Sequence, residues 1–349
     1  MTPLRLLTLC DLAFLPQALV LHRSLRAVAP EACLRVLAVD DDVARFWRDR
    51  ADPTVSVTTA GELEALDPEL PAAQPGRSRR EWCWTLAPAL CRAELASVPE
   101  DAAIAFVDAD IAFFLHPGAL VEAMGSESAL LIPHRYDQPF SNSETPQWLE
   151  ARYGSVNGGT VVLRNDPIGR RVASEWRART LGWCHDRVEP GRYGNQRYLE
   201  PLAALEGVRV APSIGIGLAP WNVGHHRLSG TVDAPRADGV PAVFFHFQSL
   251  RLRRARAFHR RPLLPGNYLS WRGRPPHLVG RLSPRFRVTA SQRRLLWMPY
   301  VRSMRAEIEG LGELGDRWWA DVPEAGGEEL ADDWRIRRDL AAGWIRRFV

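Results

Sequence analysis

Between Ala102 and Leu115 two apolar runs, AAIAFV and IAFFL, are separated only by Asp108-Ala109-Asp110. The first run reads as a buried strand that stops at Asp108. Side chains at i and i+2 of an extended segment point the same way, so the two acids converge at the strand's carboxyl end. Ligands of open α/β sheets bind at that end. Two converging carboxylates there suit a hard divalent cation. Without one they would repel, and one would hold its proton. An Asp-x-Asp pattern alone also fits a strand-end turn with solvated acids. The flanking apolar runs set this one apart.

The same grammar extends to both sides. Leu4–Cys10 (LRLLTLC), Cys33–Val39 (CLRVLAV) and Val55–Val57 read as strands, with Asp11 capping a helix through Leu15, Leu19, His22 and Leu25. Val43–Arg50, Arg79–Ala96 and Ile168–Cys184 carry helical spacing, the second despite Pro88. Ala129–Pro133, Val161–Leu163, Val208–Ala211 and Val243–Phe247 are further strands. The alternation predicts a wound α/β sheet. It runs to about residue 250, giving one expected domain over 1–250. Leu250–Arg261 (LRLRRARAFHRR) is then densely basic, and Pro, Gly and Arg dominate to Arg287, which predicts irregular structure. Residues 251–349 are expected to form a basic extension ending in an amphipathic helix over Asp332–Val349, where Ile336, Leu340, Trp344 and Phe348 step by four. Such a helix can dock on its own core, meet a partner, or lie peripherally on an anionic membrane face.

Composition narrows the chemistry. At 349 residues, 46% hydrophobic and 25% charged, the chain is neither disordered nor a fibre nor a small disulfide scaffold. Five cysteines, scattered without a CxxC pair, support no zinc ribbon or disulfide framework. All 45 cationic side chains are arginine, so a Schiff-base lysine and a P-loop lysine are excluded. Any cation at a site is a permanently charged, forked guanidinium. The net charge of +4 permits an acidic partner without demanding one. No run approaches the ~18 apolar residues of a membrane span, and Pro16 and Gln17 interrupt the run Leu12–Leu21. A cytoplasmic location, without export or membrane crossing, is expected, with peripheral contact at the inner membrane face left to the basic tail.

TLCDLAFLPQALVLHRSL, SRREWCWTLAPAL, IAFVDADIAFF, YGSVNGGTVVLRND, GRYGNQRYLE, LAPWNVGHHRLS and FFHFQSL together resemble the nucleotide-sugar glycosyltransferases of the GT-A fold. Within these the chain looks most like glycosyltransferase family 8 and related bacterial polysaccharide enzymes. The resemblance spans about Leu4 to Leu250 in consistent order. It implies a Rossmann-like mixed sheet flanked by helices and transfer of a sugar from a nucleotide donor, a UDP-sugar by expectation, to a glycan or lipid-linked glycan. Retention of anomeric configuration is the family expectation. The implied metal is Mn2+, with Mg2+ as the alternative, held by Asp108, Asp110 and His246. Thr8 and Asp11 fall where the family holds base and ribose. Arg80 falls at a cation position near the phosphates, with Arg77 and Arg79 in reserve. Asn157 and Gly158 match the lining of the donor sugar, and Asn195-Gln196 matches an Asp-Gln pair beside the anomeric carbon. Asn195 departs from the family there: an amide accepts a hydrogen bond but cannot act as a base or strong nucleophile.

Other features read more weakly. Trp221 and Asn222 are acceptor candidates, a flat ring beside an amide, and also fit a packed loop. His134-Arg135-Tyr136 can line a cleft. Asp40 can touch the nucleotide. His225-His226 does not read as a metal pair, because neighbours in a strand face opposite ways. Three rival functions fit parts of the sequence. An aspartyl phosphatase needs a later lysine, which is lacking. A nucleic-acid binder rests on Leu250–Arg261 alone, and no nucleic-acid partner is expected. A non-catalytic glycan- or nucleotide-sugar-binding protein on a glycosyltransferase fold is motivated by Asn195.

Overall fold

The computed structural model describes residues 4–137, 144–248, 250–255, 268–270, 277–281 and 288–322. Its centre is a seven-stranded mixed sheet. The first half winds β1 (Leu4–Cys10), α1 (Leu15–Val28), β2 (Leu34–Ala38), α2 (Asp41–Asp49) and β3 (Val55–Thr59). Helices α3 (Ala60–Leu66), α4 (Leu70–Ala73) and α5 (Arg79–Ser97) lead to β4 (Ala103–Val107) and β5 (Ile111–Phe113). Next come α6 (Gly118–Met124), β6 (Ala129–Pro133), α7 (Pro146–Tyr153), β7 (Val156–Arg164), α8 (Pro167–Gly182), α9 (Leu199–Leu202) and β8 (Val208–Val210). The sheet order is β3-β2-β1-β4-β7-β6-β8. β1, β2, β3 and β4 pair in parallel, while β7 runs antiparallel to both β4 and β6.

Strand alternation sorts the core into two layers. Leu6, Val36, Ala105 and Val107 face a cluster that includes Leu15 and Leu19 of α1. Leu7, Leu37, Ile104 and Phe106 face the opposite cluster, with Leu86 of α5 and Trp176 of α8. Both faces are covered, which is why these strands read as apolar runs rather than as alternating patterns. A small antiparallel meander, β9 (Leu228–Gly230), β10 (Pro235–Ala237) and β11 (Val240–Pro241), precedes β12 (Phe244–His246).

The basic region departs from the irregular structure expected of it. The backbone of β13 (Arg251–Ala255), β14 (Tyr268–Ser270) and β15 (His277–Arg281) forms a three-stranded antiparallel sheet in the order β13-β15-β14. After it, α10 (Ala290–Gln292), a π-helical turn Arg293–Trp297, α11 (Met298–Glu309) and α12 (Glu313–Asp321) return to the main core. Trp297, Tyr300 and Met304 join the same cluster as β4 and α1. On α12, Trp318 Nε1 donates to Ala13 O at 3.3 Å and Arg317 pairs with Asp42, so this helix clasps the turn after β1 and the first turn of α2. The helix expected over Asp332–Val349 lies outside the described residues. Among the described residues no helix is long and apolar enough to cross a membrane.

One buried ion pair pins α8 to the α3–α4 corner. The Asp67 side chain is 2% exposed, Arg177 Nε donates to its Oδ2 at 2.8 Å, and Arg92 approaches at 3.3 Å. Removing one partner of a buried pair strands the other charge, typically at a cost of 3–5 kcal/mol. Arg177→Ala is expected to lower unfolding free energy by about 3 kcal/mol, since Arg92 retains part of the compensation. Urea unfolding at neutral pH measures it.

Candidate metal centre and active site

β4 carries Asp108 to the carboxyl edge of the sheet, and the chain turns at once, Ile111 N–H donating to Asp108 O at 3.2 Å. β12 pairs antiparallel with β5, placing His246 opposite Ile111. Phe247 N–H donates to Asp110 O at 2.7 Å. This ribbon brings a distant histidine onto the two acids. His246 Nε2 lies 3.0 Å from Asp110 Oδ1 and 3.6 Å from Asp108 Oδ2. One ligand atom from each of the three lies within 4.8 Å of the others. Asp108, Asp110 and His246 therefore meet as the sequence implied.

The electrostatics fit a cation. The Asp108 side chain is 43% exposed on its outer face, yet the protein packed around it raises its pKa to about 6; His246 opposes that rise and Asp110 adds to it. Burial works against a charged His246, but the charges of Asp110 and Asp108 outweigh it and raise the imidazole. His246 Nε2 is buried without a well-aligned hydrogen bond, despite its closeness to Asp110. A nitrogen placed in this way between two carboxylates can serve as a metal ligand.

A glycine makes the room. A Cβ on Gly159 would fall 2.5 Å from Asp108 Oδ2, 2.6 Å from His246 Cε1 and 2.8 Å from Asn157 Oδ1. The β6–β7 register shifts here, Leu131 facing Val161 while Ile132 faces Asn157, and Asp108 N–H donates to Gly159 O at 2.8 Å. The irregularity bends β7 toward the acids. Asn157 fixes it: its Oδ1 accepts from Gly159 N–H at 2.9 Å, and its Nδ2 lies 3.3 Å from His134 Nε2. That polarity makes His134 Nε2 an acceptor on a neutral ring, in keeping with a pKa that burial lowers to about 3. Trp221 stands edge-on to both His134 and His246, with ring centroids 5.3 Å away in each case.

The Asn195-Gln196 pair lies against the other glycine. A Cβ on Gly158 would fall 3.0 Å from Asn195 Oδ1 and 3.0 Å from Gln196 Cβ. Neighbouring strand residues face opposite ways, so Gly158 faces Asn195 and Gln196 while Gly159 faces Asp108 and His246. Pro88 sets Asn195. Inside α5 a proline has no N–H for the carbonyl four residues back, which leaves Trp84 O free of its helical partner. Asn195 Nδ2 donates to that oxygen at 3.0 Å. Trp176 Nε1 donates to Asn195 O at 2.8 Å. Gln196 Nε2 donates to Tyr153 O at 2.6 Å, which fixes the direction of its amide.

At the β1–β2 edge, Asp11 Oδ1 accepts from Phe14 N–H at 3.1 Å, and Asp40 Oδ2 accepts from Leu12 N–H at 2.8 Å. Arg79 bridges these acids, pairing with Asp40 and lying 3.4 Å from Asp11. Arg80 points elsewhere, to Asp186 at 2.5 Å, and Asp186 in turn accepts from Tyr193 OH at 3.2 Å. Arg77 is turned inward, onto Thr85 and Leu181 O.

Three expectations need correction. Thr8 is fully buried in β1 and its hydroxyl makes no hydrogen bond, so it offers no surface to a nucleotide. Asn222 is 2% exposed and its amide is consumed: Oδ1 accepts from Ala219 N–H, and Nδ2 donates to His134 O and Gly217 O. It shapes the loop and has nothing left for an acceptor. Trp221 is buried against the two histidines and presents no open face to a sugar. The rejected histidine pair does separate, His225 turning to Asp137 and His226 to Asp238, but at the end of a 3-10 turn over Val223–His225 and not by strand alternation.

No protein-family profile matches the chain. It is 27% identical over 240 residues to the uncharacterised protein YfnF of Bacillus subtilis (strain 168), covering 68% of this chain and 78% of YfnF. Among solved structures it is similar to the galactosyltransferase LgtC in complex with donor and acceptor sugar analogs, with TM-score 0.42, 15% identity, and coverage of 70% of this chain and 87% of LgtC. It is also similar to mouse xyloside xylosyltransferase 1, with TM-score 0.44, 14% identity, and coverage of 70% and 98%. Both are glycosyltransferases.

The sequence reading missed several residues of the cleft. Gly159 was hidden as half of a glycine pair, although the alternation that separates it from Gly158 was available. Trp84, Tyr153 and Tyr193 are half-buried around Asn195-Gln196; Tyr193 rings lie 6.0 Å from Trp84 and 4.9 Å from Tyr153. They are scattered over three segments, and only the fold assembles them.

Proposed function

We propose that this chain is a metal-dependent glycosyltransferase of the GT-A fold. It moves a sugar from a UDP-sugar to a glycan hydroxyl in the assembly of a cell-surface polysaccharide or lipopolysaccharide. The observation that carries this reading is the convergence of Asp108, Asp110 and His246 at the carboxyl edge of the sheet, over a glycine whose missing side chain leaves the space. The ordered motifs around that centre support it.

Asp108, Asp110 and His246 would hold the ion; two carboxylates and an imidazole suit Mn2+, with Mg2+ as the harder alternative. Bound there, it acts as a Lewis acid on the departing diphosphate. Asp11, Asp40 and Arg79 receive base and ribose at the β1–β2 edge. Arg80, exposed and tethered to Asp186, is within its flexible reach a forked donor for phosphate oxygens. Gly158 lets the donor sugar approach Asn195 and Gln196. With the Gln196 amide nitrogen engaged by Tyr153 O, its carbonyl oxygen is the dipole offered to the electron-poor anomeric carbon. Trp84, Tyr153 and Tyr193 supply flat faces for the acceptor. Asn195 cannot form a covalent sugar adduct of any durability, so retention proceeds by attack from the leaving-group face. The acceptor oxygen bonds to the anomeric carbon, the sugar–phosphate bond breaks, and the phosphate oxygen takes the acceptor proton.

Asn195 also motivates a second reading, a protein that binds nucleotide-sugars without turning them over. Release of UDP from a panel of UDP-sugars, followed with and without MnCl2, separates the two. Mn2+-dependent release supports the enzyme. A nucleotide-induced thermal shift without release supports the binding protein. Neither signal with any donor would contradict both.

A further inference from the structure

Asn195 stands at the N-cap of a short 3-10 helix, Gln196–Tyr198. An asparagine there ordinarily accepts from a backbone N–H of the helix through its side-chain oxygen. Asn195 makes no such bond. It is 7% exposed, and its side chain reaches instead to α5, where Nδ2 donates to Trp84 O at 3.0 Å. That carbonyl is available because Pro88, one turn on, has no N–H to give it. The backbone of the turn is held as well. Trp176 Nε1 donates to Asn195 O at 2.8 Å, and Gly194, at φ +50°, lies so close to α5 that a Cβ would fall 3.1 Å from the Trp84 ring. With its nitrogen engaged, the amide has one direction. Oδ1 turns to Gly158, 3.0 Å from where a Cβ would stand. Turned the other way, the amide would set oxygen against oxygen, and an ionised acid would offer Trp84 O no donor at all. The amide that departs from the family's acid is therefore the side chain that this interrupted helix calls for.

We propose that Pro88 is a positioning residue of the donor-sugar site: by withholding an N–H it leaves Trp84 O to Asn195, and so fixes Asn195 Oδ1 as a neutral acceptor for a hydroxyl of the bound sugar. This rests on the donor-site reading above and makes the amide at 195 a requirement of α5 rather than a lost acid.

Asn195→Asp keeps the shape and removes the N–H donor. In the folded protein the new acid must keep its proton to bond Trp84 O, so its pKa rises above the ~3.9 of an unfolded Asp. A raised folded-state pKa carries no penalty below the unfolded value; the penalty grows as pH rises and levels off above the folded value. Tm is read from about pH 4 to about pH 8 for wild type, Asn195→Asp, Pro88→Ala and the double variant. Asn195→Asp is expected to match wild type at the acid end and fall below it as pH rises. The gap should shrink in the Pro88→Ala background, where the restored N–H also donates to Trp84 O. Glu81, His185, Asp186 and Tyr193, the titratable groups beside this turn, pair among themselves and are present in every variant, so they cancel in the difference. A gap independent of pH, or equal in both backgrounds, would overturn the role of Pro88. Isothermal titration of UDP-glucose and UDP-galactose against UDP, each with MnCl2, reads the sugar alone. Asn195→Ala is expected to weaken the UDP-sugar that wild type binds by about fivefold and to leave UDP unchanged. Equal loss for UDP, or no loss, would overturn the hydroxyl contact. Wild type that binds neither sugar better than UDP would overturn the donor-site reading and the hydroxyl contact together, whatever the pH profile shows.

Discussion

Asp110→Ala is expected to abolish the Mn2+-dependent stabilisation of the protein by UDP and to lower sugar transfer by about 10³-fold, equivalent to roughly 4 kcal/mol of transition-state stabilisation. Asp110 faces His246 Nε2 at 3.0 Å, and its side chain is 14% exposed. Its backbone carbonyl is already tied to Phe247 N–H, so truncation removes a ligand without freeing the ribbon. What remains, Asp108 and His246, cannot close a site around a divalent ion. Thermal shifts with UDP, with and without MnCl2, and steady-state transfer rates check both halves. A mutant stabilised by UDP and Mn2+ as strongly as wild type would contradict the assignment.

Gly159→Ala should be nearly as damaging, for a steric reason. The added carbon would overlap Asp108 Oδ2, His246 Cε1 and Asn157 Oδ1 at 2.5 to 2.8 Å; His246 is buried and Asn157 Oδ1 is tied to Gly159 N–H. Overpacking of a fixed site costs about 1–3 kcal/mol, and relief here would drive ligands apart. The expected outcome is a stability loss of that order together with loss of Mn2+-dependent UDP binding. Gly61→Ala is the control. A Cβ at Gly61 meets nothing within 4 Å in α3, so alanine there should be neutral or stabilising by up to about 1 kcal/mol. A Gly159→Ala protein that melts and binds like wild type would mean that the glycine leaves no functional space.

Much of this architecture was legible in the chain because local signals and buried surface agree. β1, β2, β4 and β6 are short apolar runs covered on both faces, and their ends fall within a residue or two of those expected. The Asp-x-Asp turn was readable for the same reason, since strand alternation fixes where both acids go. The third member of the cluster, His246, was not readable from local pattern. Between two phenylalanines, a histidine looks like core, and at 5% side-chain exposure it is core. Only the pairing of β12 with β5, set by tertiary structure and anticipated through motif order, turns it toward the acids. Arg80 was preferred and Arg79 held in reserve through the resemblance, because local pattern does not separate two residues in the first turn of α5, which a helix sends about 100° apart. Packing decided that Arg79 meets Asp11 and Asp40. Asn222 shows the converse failure. Its residue type suggested sugar recognition, but backbone groups of Gly217, Ala219 and His134 claimed both ends of its amide. The helices over 290–321 passed unread, although Thr289 and Gln292 form a capping box that marks their start.

The C-terminal segment changes how the site is understood. α11 backs the His246 strand, and α12 holds the loop after β1, where Asp11 sits. The Asp108–Asp110–His246 cluster and the loop that carries Asp11 are therefore braced by a part of the chain that carries none of the recognised motifs.

The central claim is most directly tested by anomalous diffraction from crystals grown with MnCl2 and UDP. The account predicts one Mn2+ peak in contact with Asp108, Asp110 and His246, shared with the diphosphate. A peak elsewhere, or UDP bound with no ion among these three side chains, would contradict it.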